Sequence, residues 1–151
     1  MTRILTPLLA ALLLATAPMA DAAATKNIAA PTTVAEEKVV YHVNDSANAS
    51  AALRNVKNHL DASKDARITV VTHGKGIDFL LTGAADKDGN PYEPMVQELK
   101  DKGVDFRVCN NTLKSRKLEA GAVIPEASIV PSGVAEIGKL QAKEGYVYLK
   151  P

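Results

Sequence analysis

Short β-branched runs alternate with segments of helical spacing along most of this chain, and that alternation restricts the fold more than any other feature. Lys38–Val43 and Arg67–Thr72 are apolar on both faces, whereas Val104, Phe106 and Val108 alternate with Asp105 and Arg107. Ala127–Val130 and Tyr146–Leu149 complete the candidate strands. Between them, Ala49, Ala52, Leu53, Val56 and Leu60 recur at helical spacing, as do Tyr92, Met95, Val96 and Leu99, and then Val134, Ile137 and Leu140. Strands buried on both sides need helices above and below. The pattern therefore predicts an α/β fold, a three-layer α/β/α sandwich around a mainly parallel five-stranded sheet. Right-handed crossovers then bring the strand carboxyl ends to one edge.

The punctuation between these segments agrees with them. Asn44-Asp45-Ser46 stops the first strand, and Asp45 is suited to cap the helix that follows. Ile77–Leu81 reads as a short helix, introduced by His73-Gly74-Lys75-Gly76, whose amides are free to cradle an anion or simply to turn. Gly103 and Gly145 follow helix ends, and Ser132 is placed to cap the last helix. Asp86-x-Asp88-x-Asn90 begins like a calcium loop, but Pro91 stands where a glycine is needed and Gln97 where a bidentate glutamate is needed. It is a surface turn.

The amino terminus reads as an export signal. Arg3 precedes an apolar run from Ile4 to Ala17, and Ala20-Asp21-Ala22 suits cleavage. The run is shorter than the roughly 20 residues of a membrane span, so no stable membrane insertion is expected. The resulting organisation is a signal peptide over residues 1–22, a flexible leader over 23–36 and one domain over 37–151, in a periplasmic or secreted protein. The signal holds one base, Arg3, and one acid, Asp21, so its removal leaves the formal net charge of +1 unchanged. A chain so balanced offers no electrostatic basis for binding nucleic acid.

Cys109 is the only cysteine, so no internal disulfide can form. It stands at the carboxyl end of the Val104–Val108 run, where Asn110-Asn111-Thr112 can bond the free amides of a helix start. A thiol there is either a nucleophile, its pKa lowered by the helix amino end, or a small buried hydrophobe. If the sheet is parallel, Asn44/Asp45, His73/Gly74, Cys109/Asn110 and Pro131/Ser132 emerge along one edge. Cys109 is then the candidate catalytic residue, and Asn44, His73, Asn110, Asn111 and Thr112 are candidate substrate-binding residues. His73 is either a base for the thiol, a ligand, or a partner for a loop carbonyl, the last being the commoner use. One cysteine and three scattered histidines (His42, His59, His73) have no metal-ligand spacing, so neither metal nor cofactor is expected.

The segment Phe106–Arg116, with its strand running into a cysteine and then a helix with a basic end, resembles the active-cysteine segment of the DsrE/DsrF-like sulfur-relay proteins. The likeness extends to Lys38–Asp45, Ile68–Gly76, Val130–Ile137 and Gly145–Pro151, and is nearest to the small exported members. It implies a flavodoxin-like sandwich that assembles into homo-oligomers, and a Cys109 that carries sulfur as a persulfide and passes it to another thiol. Asn110, Asn111 and Thr112 are similar to the exported pattern and depart from the small apolar residues that follow the cysteine in cytoplasmic subunits. No role for His73 or Asn44 comes from the resemblance. The function expected is a periplasmic sulfur carrier, its partner a sulfur donor or an acceptor thiol protein. The alternative is a non-catalytic ligand-binding or structural oligomeric module of the same fold.

Overall fold

A computed structural model describes residues 36–151. The expected signal peptide and nearly all of the expected leader lie outside the described residues. The strands are β1 (Lys38–Val43), β2 (Arg67–Thr72), β3 (Asp105–Cys109), β4 (Ala127–Val130) and β5 (Val147–Leu149). The α-helices are α1 (Ala49–Ala62), α2 (Glu93–Asp101), α3 (Asn110–Ser115) and α4 (Gly133–Glu144). All pairings between these five strands are parallel, in the order β4-β3-β2-β1-β5. Helices on both faces complete the layered, flavodoxin-like arrangement.

Strand alternation divides the side chains between the faces. Val39, Tyr41 and Val43 of β1, Ile68 and Val70 of β2, and Phe106 and Val108 of β3 pack into one large cluster. Leu53 and Val56 of α1, Val96 and Leu99 of α2, and Leu113 of α3 cover it. On the other face, Val40 and Val71 meet Ile137 and Leu140 of α4 together with Tyr146. Adjacent strands β3 and β4 thus send their following helices, α3 and α4, to opposite faces. Such a switch in direction opens a crevice at the carboxyl edge, where ligands bind in open α/β sheets.

Local sequence explains the ends of these elements. The Asp45 carboxylate accepts from Ala47 N–H at 3.0 Å, the Ser132 hydroxyl accepts from Ala135 N–H at 3.4 Å, and Gly145 closes α4 at φ +75°. The Asp86–Pro91 turn is held by Asp86 Oδ1, which accepts from the amides of Asp88 and Asn90, each at 2.9 Å. No calcium loop is needed to account for it.

Two expectations change. The helix expected over Ile77–Leu81 is a 3-10 helix over Gly74–Leu80, lying tight against the end of β1. A side chain on Gly76 would begin 2.1 Å from the Val43 carbonyl oxygen, so that glycine is required by close approach rather than by an anion. Val134, expected on the apolar face of the last helix, is 65% exposed. Of the α4 side chains, Ile137 and Leu140 alone enter the small cluster beneath it. The next polar position, Glu136, turns inward to pair with Arg107, which also bonds Asp105 at 2.6 Å.

Candidate functional site

Cys109 ends β3 and occupies the N-cap position of α3, with Asn110, Asn111 and Thr112 as the first residues of the helix. The three polar residues expected to bond the helix amides are therefore inside it, and the cysteine takes the position before them. Its residue is only 5% exposed, yet it belongs to neither apolar cluster. Polar groups meet its sulfur instead. Burial pushes the thiol pKa up, but the amides of Gly133, Thr112 and Asn111 and the Thr112 hydroxyl outweigh it, and the pKa falls below its ordinary value. The side chain makes no cap hydrogen bond of ordinary geometry to α3, so these donors act chiefly on the ionised sulfur.

Each donor is held by the fold. Thr112 is buried, and its hydroxyl oxygen accepts from Gly74 N–H at 3.0 Å, which leaves its proton for the sulfur. Gly133 opens α4, and its position is crowded. A side chain there would begin 3.0 Å from the Thr72 carbonyl oxygen, 3.2 Å from Cys109 Cβ and 3.3 Å from His73 Cβ. Glycine lets the α4 amide come this near the thiol without its neighbours having to give way.

The remaining candidates fall in different places. His73 follows β2, one step beyond the Thr72–Val108 register pair, on the side of Cys109. Asn44 follows β1, and its backbone packs against the Gly74–Gly76 turn, with β2 between it and β3. Asn111 is exposed and contributes its amide rather than its side chain. Asn110 is half-buried. Arg116, at the basic end of the helix after Cys109, pairs with Asp78.

Sequence reasoning passed over three residues at this edge. Gly133 was one step beyond the recognised strand end Pro131-Ser132. His42 Nε2 lies 2.7 Å from His73 Nε2, and His42 Nδ1 lies 2.7 Å from the Tyr148 hydroxyl. Burial, then His73 and Lys150, hold the His42 pKa at about 4. Burial and Lys150 also lower that of His73. Only the strand order makes these residues neighbours. Among the described residues, no group of three or more His, Cys, Asp or Glu side chains is arranged to hold a metal ion.

Residues 19–151 match the DsrE/DsrF-like family. The chain belongs to that family. The DsrE/DsrF-like fold is also seen in the solved structures it resembles. A protein of unknown function from Methanobacterium thermoautotrophicum is 28% identical, with a TM-score of 0.69 over 77% of this chain and 100% of that one. The ychN protein from E. coli is 14% identical, with a TM-score of 0.64 over 76% of this chain and 99% of that one, a likeness of fold. No curated protein matches the chain. The DsrE/DsrF-like family is associated with sulfur relay, and the fold expected from sequence is the one observed.

A cavity of about 370 Å³ lies elsewhere, between α1 and the Asp86–Met95 segment, lined in part by Leu53, Arg54, Tyr92 and Met95. None of its lining residues belongs to the strand-end edge. The groove carries no thiol, and the chemistry lies with Cys109.

Proposed function

We propose that this protein is a periplasmic sulfur carrier of the small exported DsrE/DsrF-like group, with Cys109 holding sulfur as a persulfide. The observation that supports it is the convergence of amides from two helices and one hydroxyl on a single thiol, which favours the anion despite burial. The Cys109 thiolate attacks the outer sulfur of a sulfane donor. With thiosulfate, a new S–S bond forms at Cys109, the donor S–S bond breaks, and sulfite leaves with the electron pair. The same amides stabilise the thiolate before loading and again when it departs on transfer to an acceptor thiolate.

Export rests on the amino-terminal pattern of Arg3, the apolar run and Ala20-Asp21-Ala22. Assembly into a homo-oligomer is part of the same reading and is measured by light scattering on the purified protein. The deciding experiment is intact mass after incubation with thiosulfate or polysulfide. A gain of one sulfur that reductant reverses, and that Cys109→Ser abolishes, is expected. A thiol that takes up no sulfur and has a pKa above that of free cysteine overturns the carrier reading in favour of a binding module.

A further inference from the structure

Cys109, His42 and Tyr148 lie on β3, β1 and β5, and His73 directly follows β2, so the four belong to adjacent strands toward the carboxyl edge of the sheet. Register puts them on one face. Val71 pairs with Arg107, so His73 and Cys109 follow on the same side, and Val40 pairs with Tyr148 below His42. His73 Cβ and Cys109 Cβ both lie within 3.3 Å of the point where a Gly133 side chain would begin. The two histidines and the tyrosine are joined by contacts of 2.7 Å.

The groups around the sulfur are hydrogen-bond donors, and the Thr112 hydroxyl already accepts from Gly74. They stabilise a thiolate, but none of them takes up the proton that must leave. Of the side chains beside Cys109, His73 alone has a nitrogen suited to that task near neutral pH. We propose that His73, His42 and Tyr148 form a proton path from the Cys109 thiol to solvent. This deepens the carrier reading, since it rests on Cys109 acting as a thiolate.

The transfer balances without any co-reactant. The Cys109 S–H bond breaks and its proton goes to Nδ1 of His73. The proton on His73 Nε2 passes to Nε2 of His42, and that on His42 Nδ1 passes to the Tyr148 oxygen, whose own proton goes to water. Both imidazoles finish neutral with their tautomers exchanged, and the path resets in reverse when the thiol re-forms. Neutral imidazoles are needed for this, and the surroundings keep them so. Lys150 is the cation acting on both rings. On the same face, Arg107 is engaged by Asp105 and Glu136, and Glu136 also pairs with Lys139. Tyr148 is exposed on the edge strand, which supplies the exit.

The test is a stopped-flow jump from acidic to neutral pH on the full folded protein, following thiolate absorbance with Cys109→Ser as blank. His73→Gln is expected to slow thiolate formation on the order of a hundredfold. His42→Gln and Tyr148→Phe are expected to slow it less, and free imidazole should restore the rate in all three. Tyr148→Phe removes one exposed hydroxyl, so it keeps the test open if a histidine variant fails to fold. Unchanged rates, or slowed rates that imidazole does not restore, overturn the path. A protein with the expected relaxation that takes up no sulfur from thiosulfate keeps the path and loses the carrier reading. Sulfur uptake without the relaxation pattern does the opposite.

Discussion

The two faces of the sheet are built for different ends. One is covered by α1, α2, α3 and the 3-10 helix over a large, mainly aliphatic cluster that includes Phe79 and Phe106. The other has only α4, seated on Val40 and Val71, and beside that small cluster runs the row of Arg107, Cys109, His73 and His42. Apolar burial scales with area removed from water, so the first face supplies most of the stability. The second can then hold polar groups that a uniform core would exclude. A buried thiol with a lowered pKa is accommodated there because its donors come from helices already anchored on the opposite side or across the crevice.

Removing a large side chain from the crowded face should have the greatest effect. Phe106→Ala, in a fully buried site on an inner strand, is expected to cost about 4 kcal/mol in denaturant unfolding. A cost no larger than that of Leu140→Ala under α4 would break the contrast between the faces.

Gly133→Ala tests the crevice itself. Its new Cβ would press on the Thr72 carbonyl and on the Cβ atoms of Cys109 and His73, so α4 must move away at a cost of about 2 kcal/mol. The displaced amide should raise the thiol pKa, read from the pH dependence of Cys109 alkylation. An unshifted profile would show that α4 does not act on the sulfur.

Thr112→Val separates charge stabilisation from packing. Losing a hydrogen bond to a charged group is worth about 1.5 kcal/mol, equivalent to about one pKa unit upward for the thiol. Because the folded thiol has a lowered pKa, its contribution to stability is present above the unfolded value and is lost as pH falls through the folded one. That pH dependence should shrink in the variant. A variant with wild-type alkylation and wild-type pH dependence would deny the hydroxyl any hold on the anion.

Near neutral pH the smallest effect on stability is expected at His42. Its pKa falls from about 6.5 in the unfolded chain to about 4 when folded. Protons bind the unfolded state first, so stability declines as pH drops through that window and levels off below it. His42→Gln should flatten that part of the acid limb of a stability–pH curve, and an identical limb would mean that the ring is not held neutral.

Much of the fold was legible because each strand and helix carried its own period. β1 and β2 end where Asn44 and His73 break an apolar run, and α4 begins after a serine that caps it. Val134 was misread because helical spacing marks a possible apolar face without saying how wide the partner surface is. The Gly74–Gly76 turn was left open between two readings for a similar reason. A glycine required by a carbonyl of another strand looks the same in sequence as one required by a ligand.

By itself, the amino-acid sequence determined the alternating elements, the parallel layered fold and the position of one cysteine at a strand end, since these follow from short-range periodicity and capping. Which strand lies beside which is decided by long-range packing, and only that order joined β3 to β2, β1 and β5 in one row. The amide of Gly133, the depressed thiol pKa and the His73–His42–Tyr148 chain all depend on distances between residues far apart in the chain. No local pattern encodes them, because hydrogen bonds and fields act through space rather than along the backbone.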